Sequence, residues 1–147
     1  MRDIPGKKEA TGVAGAIRTA SGRGARQNYS AHPAIRRLIR QILKQSKSIR
    51  VVAEANSGEE ALAHVRKLRP DVMTLDLMMN DMNGIEVLGN LKEFPNRPKV
   101  IVISLYNAPH LVSRAMAEGA SAFISKSELS PEKLIRTVKS LAEVEGS

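Results

Sequence analysis

The chain has no cysteine and no tryptophan, and its aromatic residues are Tyr29, Tyr106, Phe94 and Phe123 alone. Without cysteine, disulfide scaffolds, thiolate zinc sites and thiol catalysis are excluded. With 3% aromatic and 42% hydrophobic residues, the core must be built from aliphatic side chains. Also missing is any apolar run near the roughly 20 residues that span a bilayer. Gly12–Ile17 is too short and too glycine-rich for a secretory segment, so the expectation is a soluble, cytoplasmic protein. A length of 147 residues suits a single domain.

Acidic residues are scarce in one part of the chain only. The formal charge of +8 divides into 12 Lys and Arg against Asp3 and Glu9 over residues 1–50, and 11 against 13 over residues 51–147. The first third is therefore net +10 and the remainder net −2. Residues 1–31 add Gly6, Gly12, Gly15, Gly22 and Gly24 with no sustained period. Such a composition does not offset its ordering entropy and predicts a mostly disordered basic arm. Within it, Val13, Ala14, Ala16 and Ile17 could make a short, poor strand.

From Pro33 the pattern becomes regular. Ile35, Leu38, Ile39, Ile42 and Leu43 recur at helical spacing, with Arg36, Arg37, Arg40 and Lys44 on the opposite face. Ile49–Ala53 reads as a short buried strand. Ser57 with Glu60 then forms a capping-box signal for a helix through Ala61, Leu62, Val65 and Leu68, ended by Pro70. Asp71–Leu77 is a second apolar strand with Asp76 near its end, and Asn83-Gly84 leads into a helix carrying Ile85, Val87, Leu88 and Leu91. Val100–Ile103 is unbroken aliphatic sequence, the mark of a strand covered on both faces. A helix over about Ala108–Glu118 stops at Gly119, Ala122–Ser125 is a last strand, and Pro131 opens a final helix.

Strands alternating with helices predict an α/β fold, a doubly wound parallel sheet with helices on both faces. Ligands in such folds gather at the carboxyl ends of the strands. Asp76, Ser104 and Lys126 each fall at or just after a predicted strand end. A carboxylate, a hydroxyl and an ammonium brought together there would suit a phosphoryl group: acceptor, hydrogen-bond donor and counter-charge. Taken singly, each residue is more ordinarily a cap or a solvated loop residue. Their conjunction on one scaffold carries the reading.

Pro70-Asp71-Val72-Met73-Thr74-Leu75-Asp76-Leu77-Met78-Met79, followed by Met82-Asn83-Gly84, resembles the phosphoacceptor region of response-regulator receiver domains of two-component signalling. Val100–Ser104 is similar to the family's fourth strand with its switch hydroxyl. Glu118-Gly119-Ala120 with Phe123-Ile124-Ser125-Lys126 is similar to its fifth strand and lysine. The resemblance runs from about Pro33 to Leu141. It implies the flavodoxin-like receiver fold over residues 32–145, with residues 1–31 as an arm or a degenerate first strand.

It further implies that Asp76 accepts a phosphoryl group from a sensor histidine kinase or a phosphotransfer protein. Ser104 would hydrogen-bond the phosphoryl group and Lys126 would pair with it. Phe123 would be the switch aromatic, a role that stands beside plain core packing as an equal reading. Mg²⁺ would be held by Asp76 and the Met78 backbone carbonyl. The output would be a change in a protein-binding face.

The departure from the pattern lies at Ser30-Ala31, followed by His32-Pro33. The family places two acids there to hold the magnesium, and neither residue offers a carboxylate. The residues before them, Arg26-Gln27-Asn28-Tyr29, lack the apolar run of a central buried strand. Three explanations stand: Val13–Ile17 serves as the first strand before a long insertion, a proper first strand is lacking, or residues 1–31 come from an altered reading frame. Asn80 and Asn83 replace a usual proline and a frequent acid, which changes loop stiffness and leaves the acceptor in place.

Two functions follow from the resemblance. The first is a single-domain response regulator that switches a downstream protein target and is not itself an enzyme. The second is a pseudo-receiver, a protein interaction module that works without phosphate, favoured by the missing acids. A third, nucleic-acid binding through the basic arm and the Arg36, Arg37, Arg40 and Lys44 face, is weakened by the absence of interleaved aromatics. No Ser-His-Asp ordering or glycine-rich phosphate loop supports independent catalysis, and His32, His64 and His110 read as solvated surface residues.

Overall fold

The computed structural model describes residues 8–9, 31–55, 58–77, 84–95, 97–104 and 108–146. Aliphatic periodicity sets the elements. Helix α1 spans Ala31–Lys44, α2 Gly58–Leu68, α3 Gly84–Leu91, α4 Pro109–Ala117 and α5 Pro131–Gly146. The strands are β1 (Lys8–Glu9), β2 (Ile49–Arg50), β3 (Val72–Leu75), β4 (Lys99–Ser104) and β5 (Ala122–Ser125). No helix among the described residues is long and apolar enough to cross a membrane.

All strand pairs are parallel. β3, β4 and β5 form one sheet in that order, with Leu75 opposite Val102 and Ser104 opposite Ser125. The alternation of side chains across β4 divides the core into two layers. Val100 and Val102 pack with Met73, Leu75, Val65, Leu88, Leu91 and Ala115 on the α2, α3 and α4 side. Ile101 and Ile103 pack with Val72, Ile39, Leu43, Ile124, Leu134 and Val138 on the α1 and α5 side. A strand buried on both faces has no room for a polar alternation, which is why Val100–Ile103 is continuous aliphatic sequence.

The other end of the sheet differs from the expected pattern. β1 and β2 pair only as Lys8 with Ile49 and Glu9 with Arg50. The strand anticipated over Ile49–Ala53 is thus cut to two residues. Its ladder partner spans two described residues, and Val51–Glu54 continue half-buried outside strand structure. Lys8–Glu9, inside the segment read as an arm, supply the first described strand. The flavodoxin-like strand order is 2-1-3-4-5, which makes the first strand central. Here Lys8–Glu9 pair with β2 in a separate two-stranded sheet, and among the described residues no ladder joins them to β3. The alternative first strand, Val13–Ile17, lies outside the described residues.

Local signals explain most boundaries. α5 opens with Pro131, and the Ser130 hydroxyl accepts the Lys133 N–H at 3.1 Å. α4 ends before Gly119, whose φ of 118° lies in a region that a side chain disfavours. α2 ends at Leu68, and Arg69 takes a left-handed φ of 50° immediately before Pro70. Two residues of the expected apolar faces, Leu38 and Leu68, are exposed at 42% and 38%.

Arg40 leaves the solvated face assigned to it. Its Nη1 donates to both carboxylate oxygens of Glu54, at 2.8 and 2.6 Å, and so ties α1 to the segment after β2. His64 is half-buried, its Nε2 3.1 Å from the Glu54 carbonyl oxygen, whereas His110 is exposed as expected.

Candidate functional site

Three parallel strands end at one edge of the β3–β4–β5 sheet, where the residues that follow β3 and β5 meet. β3 delivers Asp76, β4 ends in Ser104, and β5 runs into Lys126, the first residue of a 3₁₀ turn over Lys126–Glu128. Asp76 is 3% exposed and Ser104 fully buried. The Lys126 ammonium donates to Asp76 Oδ2 at 3.2 Å, and its side chain is only 6% exposed. A buried carboxylate is costly unless a counter-charge accompanies it, and Lys126 fills that requirement from 50 residues away in sequence.

Asp76 lies one residue past the end of β3 and Lys126 one residue past the end of β5, and their side chains meet there. Ser104 shares the parity of Val100 and Val102, on the side facing α3 and α4. Phe123 is half-buried and packed against the cluster containing Val102 and Ala115. Its side chain therefore contributes to packing in this state.

The backbone at Asp76 is fixed by a close approach that only glycine permits. The Gly84 N–H donates to the Leu77 carbonyl at 2.9 Å. A Cβ at Gly84 would stand 2.6 Å from Leu77 Cα and 2.9 Å from the Asp76 carbonyl oxygen. In the sequence, Gly84 marks only the entry to a helix. Its steric role depends on the fold of α3 back onto β3 and has no local signal beyond the Asn-Gly pair.

Met78 and Ser30 lie outside the described residues. Ala31 is the first residue of α1 and has no donor side chain. Among the described residues no group of three or more His, Asp or Glu could hold a metal ion. A hard divalent cation needs several oxygen ligands, carboxylates above all. The described residues do not by themselves make up the family's magnesium site.

A doubly wound parallel sheet with an Asp–Lys pair buried at its carboxyl edge defines a flavodoxin-like α/β domain of the receiver class. The chain belongs to the response regulator receiver domain family, whose sequence model matches residues 31–139. It is 33% identical over 111 residues to the nitrate/nitrite response regulator protein NarL of Escherichia coli K12, covering 76% of this chain and 51% of that protein. Over a matched region of the same length it is 37% identical to the transcriptional regulatory protein UhpA of Salmonella typhimurium, covering 76% and 55%. The chain thus spans about half the length of these curated relatives.

Among solved structures, the signal receiver domain of the putative response regulator NarL from Mycobacterium tuberculosis superposes with a TM-score of 0.78. It is 27% identical and covers 95% of this chain and 98% of that one. The family match begins at residue 31, where α1 begins.

Proposed function

We propose that this receiver takes a phosphoryl group on Asp76 from a phosphohistidine of a sensor kinase or phosphotransfer protein, and so switches a protein-binding face. The observation that carries the reading is the buried Asp76–Lys126 pair at 3.2 Å on the carboxyl edge of the sheet. In the transfer, an Asp76 carboxylate oxygen forms a bond to phosphorus as the N–P bond of the donor histidine breaks, its electron pair returning to the imidazole. The acyl phosphate carries more negative charge than the carboxylate it replaces. Lys126 offsets that charge, and the Ser104 hydroxyl donates to a phosphoryl oxygen.

Inward movement of Ser104 leaves space beside β5, on the side of the sheet where Phe123 packs. Phe123 is the aromatic that fills it, and the surface of α4, β5 and α5 repacks to bind a downstream protein. The domain, assigned to residues 32–145, catalyses nothing beyond its own phosphoryl transfer and slow dephosphorylation, and works in the cytoplasm. Exposure to a small-molecule phosphodonor with Mg²⁺ should add one phosphoryl group by intact mass, and Asp76→Asn should abolish the gain.

One observation favours a second reading. Ser30-Ala31 stand where the family has its acids, and Ala31 is already helical. A receiver deprived of its cation ligands would act as a pseudo-receiver, presenting the same face without phosphate. Partner binding that is equal for the wild type and Asp76→Asn, with no phosphoryl gain in either, would select it.

A further inference from the structure

Lys126 is flanked by two serines whose side chains meet. The Ser125 and Ser127 hydroxyls lie 3.1 Å apart, bridging across the lysine between them. Ser125 is the last residue of β5, buried at 4% exposure and paired in register with Ser104. Ser127 lies in the 3₁₀ turn and is exposed. The backbone bond closing that turn, from the Leu129 N–H to the Lys126 carbonyl, is long at 3.4 Å. A lysine side chain has four rotatable bonds and loses much rotamer freedom when held in one place. A turn closed so weakly gives little control over its direction.

We infer that the Ser125–Ser127 hydroxyl bridge is the positioning element for Lys126: it fixes the backbone on both sides of the lysine and so aims the ammonium at Asp76. The bridge joins a buried strand residue to an exposed turn residue. Ser125 is held by the ladder to β4, and through the bridge Ser127 inherits that rigidity. The inference deepens the proposed phosphoryl-transfer reading and rests on it for its consequence, although the geometry it concerns exists without phosphate.

The test uses the full chain and two readouts. Amine labelling of Lys126, followed by peptide mass spectrometry, reports how well its ammonium is held, with exposed Lys139 as the internal reference. Ser127→Ala should speed Lys126 labelling by about two- to tenfold relative to Lys139, the range of one neutral hydrogen bond. The thermal midpoint should barely move, because Ser127 is exposed. Ser127→Thr, which keeps the hydroxyl, should restore slow labelling. With acetyl phosphate as donor, Ser127→Ala should slow phosphoryl gain on Asp76 by a similar factor.

Lys126 labelling unchanged in Ser127→Ala, or accelerated equally at Lys139, would overturn the inference. If the wild type gains no phosphoryl group, the phosphoryl-transfer reading fails while the labelling result still decides the positioning of Lys126.

Discussion

Lys126 Nζ lies 3.2 Å from Asp76 Oδ2 with both side chains buried, so the carboxylate and its counter-charge are held at the sheet edge as one unit. Removing either partner strands the other. Lys126→Met alone should destabilise the domain by about 3 kcal/mol, the usual consequence of an uncompensated buried charge. The double variant with Asp76→Asn should lose less than the two single changes summed, by about 1–3 kcal/mol. Urea unfolding of the four proteins measures the coupling. Simple additivity would show that the pair is not coupled in the folded state.

The tie between Arg40 and Glu54 compensates for a short strand. β2 has two described ladder positions, and this two-pronged contact ties the segment after it to α1. Both side chains remain about a third or a quarter exposed. Arg40→Ala should therefore lose about 0.5–1 kcal/mol at low salt, and less as salt screens the pair. Denaturation midpoints compared at low and high ionic strength check both parts.

Gly119 tests backbone conformation without steric interference. Nothing lies within 4 Å of a Cβ placed there, yet its φ is 118°. Gly119→Ala should destabilise by about 1–2 kcal/mol through backbone strain alone. The phosphoryl acceptance of Asp76 should be unchanged. Gly84→Ala contrasts with it, because the added Cβ would meet the backbone of Leu77 and Asp76. That substitution should impair acceptance and stability together, as acyl-phosphate yield and thermal midpoint would show.

Restoring the family's acids should strengthen the cation dependence. Ser30→Asp with Ala31→Asp supplies two carboxylates where the sequence now offers none. The Mg²⁺ concentration for half-maximal phosphoryl gain should fall by about tenfold or more, in line with the effect of added charged ligands on cation sites. A titration of phosphoryl gain against Mg²⁺ for both proteins measures it, and an unchanged midpoint would show that residues 30–31 do not reach the acceptor.

Much of this arrangement was legible in the amino acids, and what was not has identifiable causes. Val100–Ile103 announced a strand buried on both faces, and Gly119 and Pro131 marked helix ends by backbone chemistry alone. Asp76, Ser104 and Lys126 could be placed at strand ends because their strands were continuous apolar runs. By contrast, Lys8–Glu9 carry no periodic signal, since two charged residues look like any polar segment. Ile49–Ala53 looked like a full strand because an apolar run records burial, while pairing depends on a partner found elsewhere in the chain. Likewise, the Arg40–Glu54 contact and the crowding at Gly84 arise only when distant elements pack.

Intact mass of the full chain, before and after exposure to a phosphodonor with Mg²⁺, tests the central claim most directly. Asp76 as a working phosphoacceptor predicts the gain of one phosphoryl group, lost in Asp76→Asn and slowed in Lys126→Met. No gain at millimolar Mg²⁺, or a gain that persists in Asp76→Asn, would contradict it.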